Sequence, residues 1–150
     1  MKDADLYYLG MLHYTAGNED AALDAARRTL KRSEAAVAKD PTNGAALAAG
    51  ATSLIMLGET LRGKDWIQRA QLLDPDNMLV LYNLACGLTF RNADIDGALD
   101  LLERYFELVP SAAYVTYAEI DPDIDPVREH PRFDAMMDAA RARLGMTEAA

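Results

Sequence analysis

Apolar residues recur along the chain at positions i, i+3, i+4 and i+7, the spacing that places side chains on one face of an α-helix. The stripe that begins at Leu47 recurs 34 residues later, beginning at Leu81. The matching pairs are Leu47 and Leu81, Gly50 and Leu84, Ala51 and Ala85, and Leu54 and Leu88. A related stripe begins at Leu6, 41 residues before Leu47. The pattern predicts an all-α chain built from repeated helical segments.

A second amphipathic stretch follows each stripe after a polar or glycine-containing break. The predicted second helices cover about residues 20–39, 61–73 and 95–109. Proline disfavours helical geometry in the residue before it, so we expect these helices to end at Asp40-Pro41, Asp74-Pro75 and Val109-Pro110. The chain is thereby divided into three helix–turn–helix units, at about residues 3–41, 42–75 and 76–110. The apolar stripe of the first unit precedes that of the second by 41 residues, seven more than 34. Seven residues are about two helical turns, and we expect this extra length in the second helix of the first unit.

These units resemble tetratricopeptide repeats, whose consensus has Leu-Gly in the first helix, alanine and an aromatic residue in the second, and a closing proline. The matching residues are Leu9, Gly10, Ala22 and Pro41, then Gly58, Ala70 and Pro75, then Leu81, Ala85, Ala98 and Pro110. The consensus tryptophan of the first helix is absent, and Gly63 stands where alanine is expected. The resemblance implies a right-handed helical solenoid, with residues 1–150 in a single domain and residues 111–150 as its C-terminal cap.

The segment after Pro110 breaks the period. It predicts a short helix at residues 113–119, an Asp-Pro-rich turn, and a capping helix at about residues 132–144, which fits the atypical ends that solenoids need. Together with Tyr82-Asn83-Leu84-Ala85-Cys86, the segment from Asp121 to Phe133 resembles the C-terminal repeat regions of bacterial multidomain signalling proteins. Those include class III adenylate cyclases and TolB-like or winged-helix regulators. The resemblance implies that the chain is the C-terminal part of such a protein, and a free-standing repeat protein is the alternative.

Charge and composition narrow the classes of partner. The net charge is −9, and twelve acidic residues stand against three arginines between Asp94 and Asp138. Nucleic acids and anionic membranes require basic groups, and no stretch is apolar enough to span a bilayer, so we predict neither nucleic-acid binding nor membrane insertion. We interpret the acidic half as a solvated face rather than a site for a basic partner. A single cysteine, Cys86, indicates a reducing compartment, and we predict a cytoplasmic protein.

The residues that could carry chemistry form no catalytic constellation in the sequence. Asp121, Asp123 and Asp125 alternate like the start of a calcium loop, but the glycine and glutamate that such a loop needs are replaced by a proline and an arginine. We interpret Asp125 instead as a helix N-cap that precedes Pro126. Cys86 falls on an apolar helix and is expected to be a buried structural thiol. We predict no catalytic residue, no metal and no cofactor.

The first helices line a concave groove in the fold that these units resemble. The groove positions that we predict to contact a protein or peptide partner are Tyr7, Tyr8, Met11, Tyr14, Thr52, Met56, Tyr82, Asn83 and Phe90. Tyrosine suits such a site because it combines apolar area with a polar tip. Alternatively, several of these side chains pack between repeats or beneath the C-terminal cap.

Three functional classes stay open. The first is a non-catalytic scaffold module for protein–protein interaction. The second is a structural spacer or a dimerisation unit, with a homodimer formed through an apolar second-helix face or the extended helix of the first unit. Trp66, beside the packing face of Ile67 and Ala70, is expected to be half-buried or to mark an outer contact surface. The third is an enzyme, either with an active site built from acids distant in the sequence or as a fragment of an enzyme such as an adenylate cyclase, with the catalytic domain outside this chain.

Overall fold

The computed structural model describes residues 12–14 and 16–146, and within these ranges it contains helices and no strand. Residues 12–14 are helical. The α-helices that follow are α1 (Glu19–Lys39), α2 (Gly44–Met56), α3 (Thr60–Leu73), α4 (Met78–Thr89), α5 (Ile95–Leu108), α6 (Ala112–Ile120), α7 (Asp125–Arg128) and α8 (Pro131–Arg143). Short 3-10 helices follow α4 and α6, at Phe90–Asn92 and Pro122–Ile124. The all-α prediction is confirmed for the described residues. None of their helices combines the length and apolar character needed to cross a bilayer.

The chain divides into two compact units, Met1–Pro75 and Asp76–Ala150. In the first unit, α2 packs against both α1 and α3. In the second unit, α4 packs against α5, and α8 packs against α5 and α6. The organisation of residues 1–150 as one solenoid domain stays a prediction.

Local sequence sets the ends of the helices. Four helices begin after an Asn or Asp whose side chain accepts a hydrogen bond, at 3.0–3.3 Å, from the main-chain N–H three residues later. These N-caps are Asn18 for α1, Asn43 for α2, Asn77 for α4 and Asp94 for α5. Each cap satisfies a donor that the start of a helix leaves without an intrahelical partner. The C-caps of α1, α3 and α5 are the residues before the three prolines, as predicted: Asp40, Asp74 and Val109.

The extra length of the first unit lies in α1. This helix has 21 residues, whereas α3 and α5 have 14 each. The difference is seven residues, so the predicted extension of the second helix by about two turns is confirmed. Its apolar stripe keeps one register, because Ala22, Ala26, Leu30 and Val37 are all buried.

The core of the first unit depends on a close approach between α2 and Trp66 of α3. Trp66 is only 6% exposed, so the expectation of a half-buried or outward-facing ring is wrong. A Cβ atom at Gly50 would lie 2.3 Å from Cζ3 of Trp66 and 2.9 Å from Cβ of Ser33. The indole ring is therefore seated against the main chain of α2, in space that any larger residue would fill. Gly63, where the repeat consensus has alanine, is packed against Ile55 in the same way. A Cβ atom added at Gly63 would lie 2.7 Å from Cγ1 of Ile55.

The Asp-Pro-rich turn is capped by Asp121 rather than by Asp125. Oδ1 of Asp121 accepts a hydrogen bond from the main-chain N–H of Asp123 at 3.0 Å, which stabilises the turn that Pro122 begins. Asp125 already has helical geometry, φ −51° and ψ −37°, and its side chain accepts from Nε of Arg128 at 2.9 Å. The prediction that Asp125 is an N-cap is therefore wrong, because the chain turns helical one residue earlier.

Arg128 holds the C-terminal end of α6. Its Nη1 donates to the main-chain oxygens of Ala118 at 3.1 Å and Glu119 at 2.6 Å, and its Nη2 donates to that of Asp121 at 2.6 Å. The last carbonyl groups of a helix lack intrahelical partners, and a planar guanidinium can satisfy several of them at once. Arg128 thus fixes the position at which α6 ends and the Asp121 turn begins.

Replacing Arg128 with alanine is expected to lower the free energy of unfolding by about 1–3 kcal/mol, because three carbonyl groups lose a charged donor. Arg128→Lys should recover only part of this loss, since a lysine lacks the planar fork. The matched control is Arg141→Ala, which removes exposed ion pairs to Glu119 and Asp138 and should cost at most about 1 kcal/mol. Urea unfolding followed by circular dichroism measures all three variants. Equal losses for Arg128→Ala and Arg141→Ala would contradict this role.

Candidate functional site

A buried carboxylate, that of Asp121, lies at the centre of the second unit's most unusual polar cluster. Asp121 is 6% exposed, and its Oδ2 accepts a hydrogen bond from the hydroxyl of Tyr82 at 2.7 Å. The N–H of Asp123 donates to Oδ1, and the charge of the carboxylate acts on the nearby Tyr117. All of these donors are neutral, and the carboxylate forms no ion pair with any residue that the structure describes. Buried charges are ordinarily paired with a charge of opposite sign, so this one is unusual.

Cys86 adjoins the same carboxylate. The Sγ of Cys86 and one carboxylate oxygen each of Asp121 and Asp123 lie within 4.8 Å of one another. Burial raises the pKa of the Cys86 thiol well above its ordinary value, and the charges of Asp121 and Asp123 raise it further. A thiol that keeps its proton is a weak nucleophile and a weak metal ligand. The prediction that Cys86 is buried is confirmed, whereas the prediction of no metal is left as a prediction.

Four tyrosine rings form a continuous series beside this cluster. The ring centroids are 4.8 Å apart for Tyr82 and Tyr105, 5.8 Å for Tyr82 and Tyr117, and 6.5 Å for Tyr105 and Tyr114. The two inner rings, Tyr82 and Tyr105, are 6% and 4% exposed, whereas Tyr114 and Tyr117 are 41% and 55% exposed. Ile120, three residues after Tyr117 on α6, is 74% exposed. We call the exposed side chains of Tyr114, Tyr117 and Ile120 the tyrosine face.

The tyrosine hydroxyls keep their protons near neutral pH. Burial raises the pKa values of Tyr82 and Tyr105 above the ordinary value for tyrosine. The pKa of Tyr117 is raised to about 12, first by burial and then by the charge of Asp121. The Tyr82 hydroxyl therefore stays a hydrogen-bond donor to Asp121 near neutral pH, and the charge of Asp121 also acts on Tyr117 of the tyrosine face.

The residues predicted to contact a partner differ in how exposed they are. Tyr7, Tyr8 and Met11 lie outside the described residues. Tyr14 is 37% exposed and Asn83 is partly exposed. The remaining four are only 1–6% exposed: Thr52, Met56, Tyr82 and Phe90. Such burial is unfavourable for direct contact, because these side chains offer a partner almost no area. For Tyr82 the structure matches the alternative of packing beneath the C-terminal segment, since its ring and hydroxyl contact Tyr117 and Asp121.

Sequence reasoning missed the tyrosine face. Tyr114, Tyr117 and Ile120 are spaced i, i+3 and i+6, a spacing that places them on one side of a helix. The available signal was therefore local, but the short helix after Pro110 was treated only as part of a cap. The proximity of Cys86 to Asp121 had no local signal, because these residues belong to different helical segments.

A second exposed apolar surface lies on α3 of the first unit. Leu61 and Leu72 are 87% and 84% exposed. They are eleven residues apart, about three turns of helix, and so lie on the same side. This surface is a candidate for self-association.

An open cavity of about 340 Å³ lies between α5 and α8 in the second unit. Phe106 and Met136 are among its apolar lining residues, and charged residues lie around them. Arg132 at its edge is bonded to Asp100 and Glu103, and Arg143 donates to the main-chain oxygens of Phe106 and Val109. Arg132 and Arg143 of the cavity therefore link α8 to α5.

Comparison with known proteins yields no family, because no protein-family model matches the chain and no curated protein matches it. The resemblance to tetratricopeptide repeats stays a prediction from the repeat residues.

Proposed function

We propose that the chain is a non-catalytic helical-repeat module of the tetratricopeptide type that binds a protein or peptide through the tyrosine face. The observation that carries this proposal is the exposure of Tyr114, Tyr117 and Ile120 above a floor of buried aromatic rings. Contiguous exposed apolar side chains commonly mark interaction surfaces. Tyrosine is enriched in such surfaces because it supplies a large, rigid contact area and a hydroxyl group.

The tyrosine face is held in place before any partner arrives. The Tyr117 ring packs on Tyr82, whose hydroxyl is bonded to Asp121. Arg128 fixes the end of the helix that carries the face. Binding to a preorganised surface loses less conformational entropy than binding to a mobile one, so this small surface is suited to recognition of a short segment.

The polar groups beside the face favour binding over catalysis. Cys86 is buried, with the pKa of its thiol raised by that burial, and the carboxylate of Asp121 accepts hydrogen bonds from the Tyr82 hydroxyl and the N–H of Asp123. These contacts support structural roles for the groups that would otherwise be candidates for a nucleophile or a general base. Membership of a larger bacterial signalling protein and a cytoplasmic location are further predictions that accompany this proposal.

Self-association through α3 is the second candidate function. The exposure of Leu61 and Leu72 favours it, because leucines on one side of a helix could pack against the same helix of a second copy. In that case the tyrosine face would not be the principal contact surface, and α3 variants would change the oligomeric state.

Selection of displayed random peptides on the full chain tests the proposal. We expect selection to enrich peptides that bind with micromolar affinity, about −8 kcal/mol, as measured by isothermal titration calorimetry. Tyr117→Ala should weaken that binding at least about tenfold, the equivalent of 1.4 kcal/mol, because the most exposed ring of the face is removed. The matched control is Leu72→Ala, which removes an exposed apolar side chain from the first unit and should leave binding unchanged.

Thermal melts of both variants establish that they are folded. Peptides whose affinity is lowered by Leu72→Ala and not by Tyr117→Ala would contradict the proposal. Sedimentation of the same variants distinguishes the second candidate, in which Leu72→Ala shifts the chain from dimer to monomer.

A further inference from the structure

We propose that the tyrosine face takes a cationic segment of its partner, in which a lysine or arginine stands next to an apolar residue. This inference rests on the proposed function, since it names the chemistry of what binds at the same face. It revises the interpretation of the acidic half as wholly a solvated surface.

The first argument is the missing counter-charge at Asp121. Its carboxylate is 6% exposed and is hydrogen-bonded only by neutral groups among the described residues. Asp123, two residues later, adds a second carboxylate close to it. Burial is the main cause of the raised pKa values of Tyr82, Cys86 and Tyr117, and the charge of Asp121 raises all three further. The Tyr82 ring, which is bonded to Asp121, also contacts the exposed Tyr117 ring, so the carboxylate lies close to the tyrosine face.

The second argument is that the arginines of the described part of the second unit are engaged elsewhere. Arg104 pairs with Asp76 and Glu107, Arg132 with Asp100 and Glu103, and Arg141 with Glu119 and Asp138. Arg128 pairs with Asp125 and with main-chain oxygens, and Arg143 donates to main-chain oxygens. Arg91 lies over the Phe90 ring, with 5.3 Å between its guanidinium carbon and the ring centroid. Asp100, Glu103 and Glu107 of α5 and Asp138 of α8 thus have cationic partners within the chain. Arg128 reaches the main-chain oxygen of Asp121 and not its carboxylate, so a cation paired with that carboxylate would have to come from a partner.

The third argument is the arrangement of rings and carboxylate. Tyr117 and Asp121 are four residues apart at the C-terminal end of α6, and Tyr117 is 55% exposed. A cation over the face of this ring gains from the negative quadrupole of the ring and from the nearby carboxylate charge. Ile120 and Tyr114, on either side of Tyr117 in the sequence, offer apolar contact to the neighbouring residue of the segment. One positive side chain flanked by an apolar one matches this surface.

Three labelled synthetic peptides of equal length test the inference on the full chain. All three have leucine and tyrosine at the same positions. At the positions between, the cationic peptide has lysine and arginine, the second peptide has glutamine, and the third has glutamate. We expect fluorescence anisotropy to show the cationic peptide binding at least about tenfold more tightly than the glutamine peptide at low salt. The glutamate peptide should bind more weakly than both. The preference should shrink as sodium chloride is raised, because salt screens the attraction.

Variants that remove single charges show which carboxylates cause the preference for the cationic peptide. Asp121→Asn keeps an oxygen acceptor for Tyr82 and removes the charge, and Asp123→Asn removes the neighbouring charge. Each should reduce the cationic-to-glutamine preference to about threefold or less. The matched control, Asp96→Asn, removes an equal charge from the exposed first turn of α5 and should leave the preference unchanged.

The outcomes separate this inference from the proposed function. Equal binding of the cationic and glutamine peptides, with loss in Tyr117→Ala, would overturn the inference and leave the function standing. An equal fall in preference for Asp96→Asn and Asp121→Asn would overturn it as well, because the attraction would then come from overall charge. Absence of binding by all three peptides, while selected peptides still depend on Tyr117, would also count against a cationic segment. If neither selected nor designed peptides depend on Tyr117, the function and the inference both fail.

Discussion

Asp121→Ala is expected to lower the free energy of unfolding by about 2–4 kcal/mol. The substitution leaves the buried hydroxyl of Tyr82 without the acceptor that it now has at 2.7 Å. It also removes the side-chain cap of the turn at Asp123. A buried donor without an acceptor loses its hydration and gains nothing in return, which is the larger part of the cost. Urea unfolding at neutral pH, followed by far-ultraviolet circular dichroism, measures this change.

Tyr82→Phe and the double variant complete the test of this hydrogen bond. Tyr82→Phe removes the donor and keeps the ring packing, so its cost should be smaller, about 1 kcal/mol. If the bond exists, the double variant should be more stable than the sum of the two single changes predicts, by about 1–2 kcal/mol. Strict additivity would show that Tyr82 and Asp121 do not interact and would remove the polar centre of the candidate site.

Gly50→Ala is expected to destabilise the chain by about 2 kcal/mol, although alanine is the better helix former by about 1 kcal/mol. The added Cβ would lie 2.3 Å from Cζ3 and 2.7 Å from Cε3 of Trp66. These are atoms of a rigid ring that is 6% exposed, so relief requires movement of the whole indole or of α2. Because Trp66 is the single tryptophan, its fluorescence reports both the unfolding transition and any displacement of the ring towards water.

Gly44→Ala on the same helix is the matched control. An added Cβ there meets nothing within 4 Å, so stability should be unchanged or raised by up to about 1 kcal/mol. Gly50→Ala combined with Trp66→Leu should cost less than the two changes summed, because the smaller side chain leaves room for the new methyl group. A Gly50→Ala variant as stable as Gly44→Ala would show that the close approach of α2 to Trp66 is wrong.

Helix positions and ends could be predicted because their determinants are local. Asp40, Asp74 and Val109 end helices since each precedes a proline. The seven additional residues of the first unit had to lengthen α1, because two whole turns preserve the direction of its apolar stripe. Burial of Leu47 and Leu81 followed from the same periodicity, and both are at most 1% exposed.

The Asp121 cluster of the candidate site could not be predicted from the sequence, because its parts are distant in the chain. Tyr82 and Asp121 are 39 residues apart, and nothing near either residue indicates the other. The alternating aspartates suggested a helix cap at Asp125, but the choice between Asp121 and Asp125 depends on where α6 ends. That end is fixed by Arg128, whose guanidinium reaches back to the main chain of the preceding segment. The burial of Tyr82 in turn follows from this placement.

The distribution of ion pairs separates two kinds of acidic residue that look alike in the sequence. Asp100 and Glu103 on α5 both contact Arg132 at the surface, and such exposed pairs contribute little to stability. Asp121 is buried, and its carboxylate forms no ion pair with a described residue, although Arg128 donates to its main-chain oxygen at 2.6 Å. A count of acids against arginines treats these residues as equal, whereas their surroundings give them different roles.

Amide hydrogen exchange of the full chain, with and without a peptide selected for binding, tests the central claim most directly. The proposed function predicts slower exchange in residues 112–124, which carry the tyrosine face and the Asp121 turn, and in the part of α4 around Tyr82. Exchange in α3 should be unchanged. Slower exchange confined to residues 60–73, with none in residues 112–124, would contradict the claim that the tyrosine face is the binding surface.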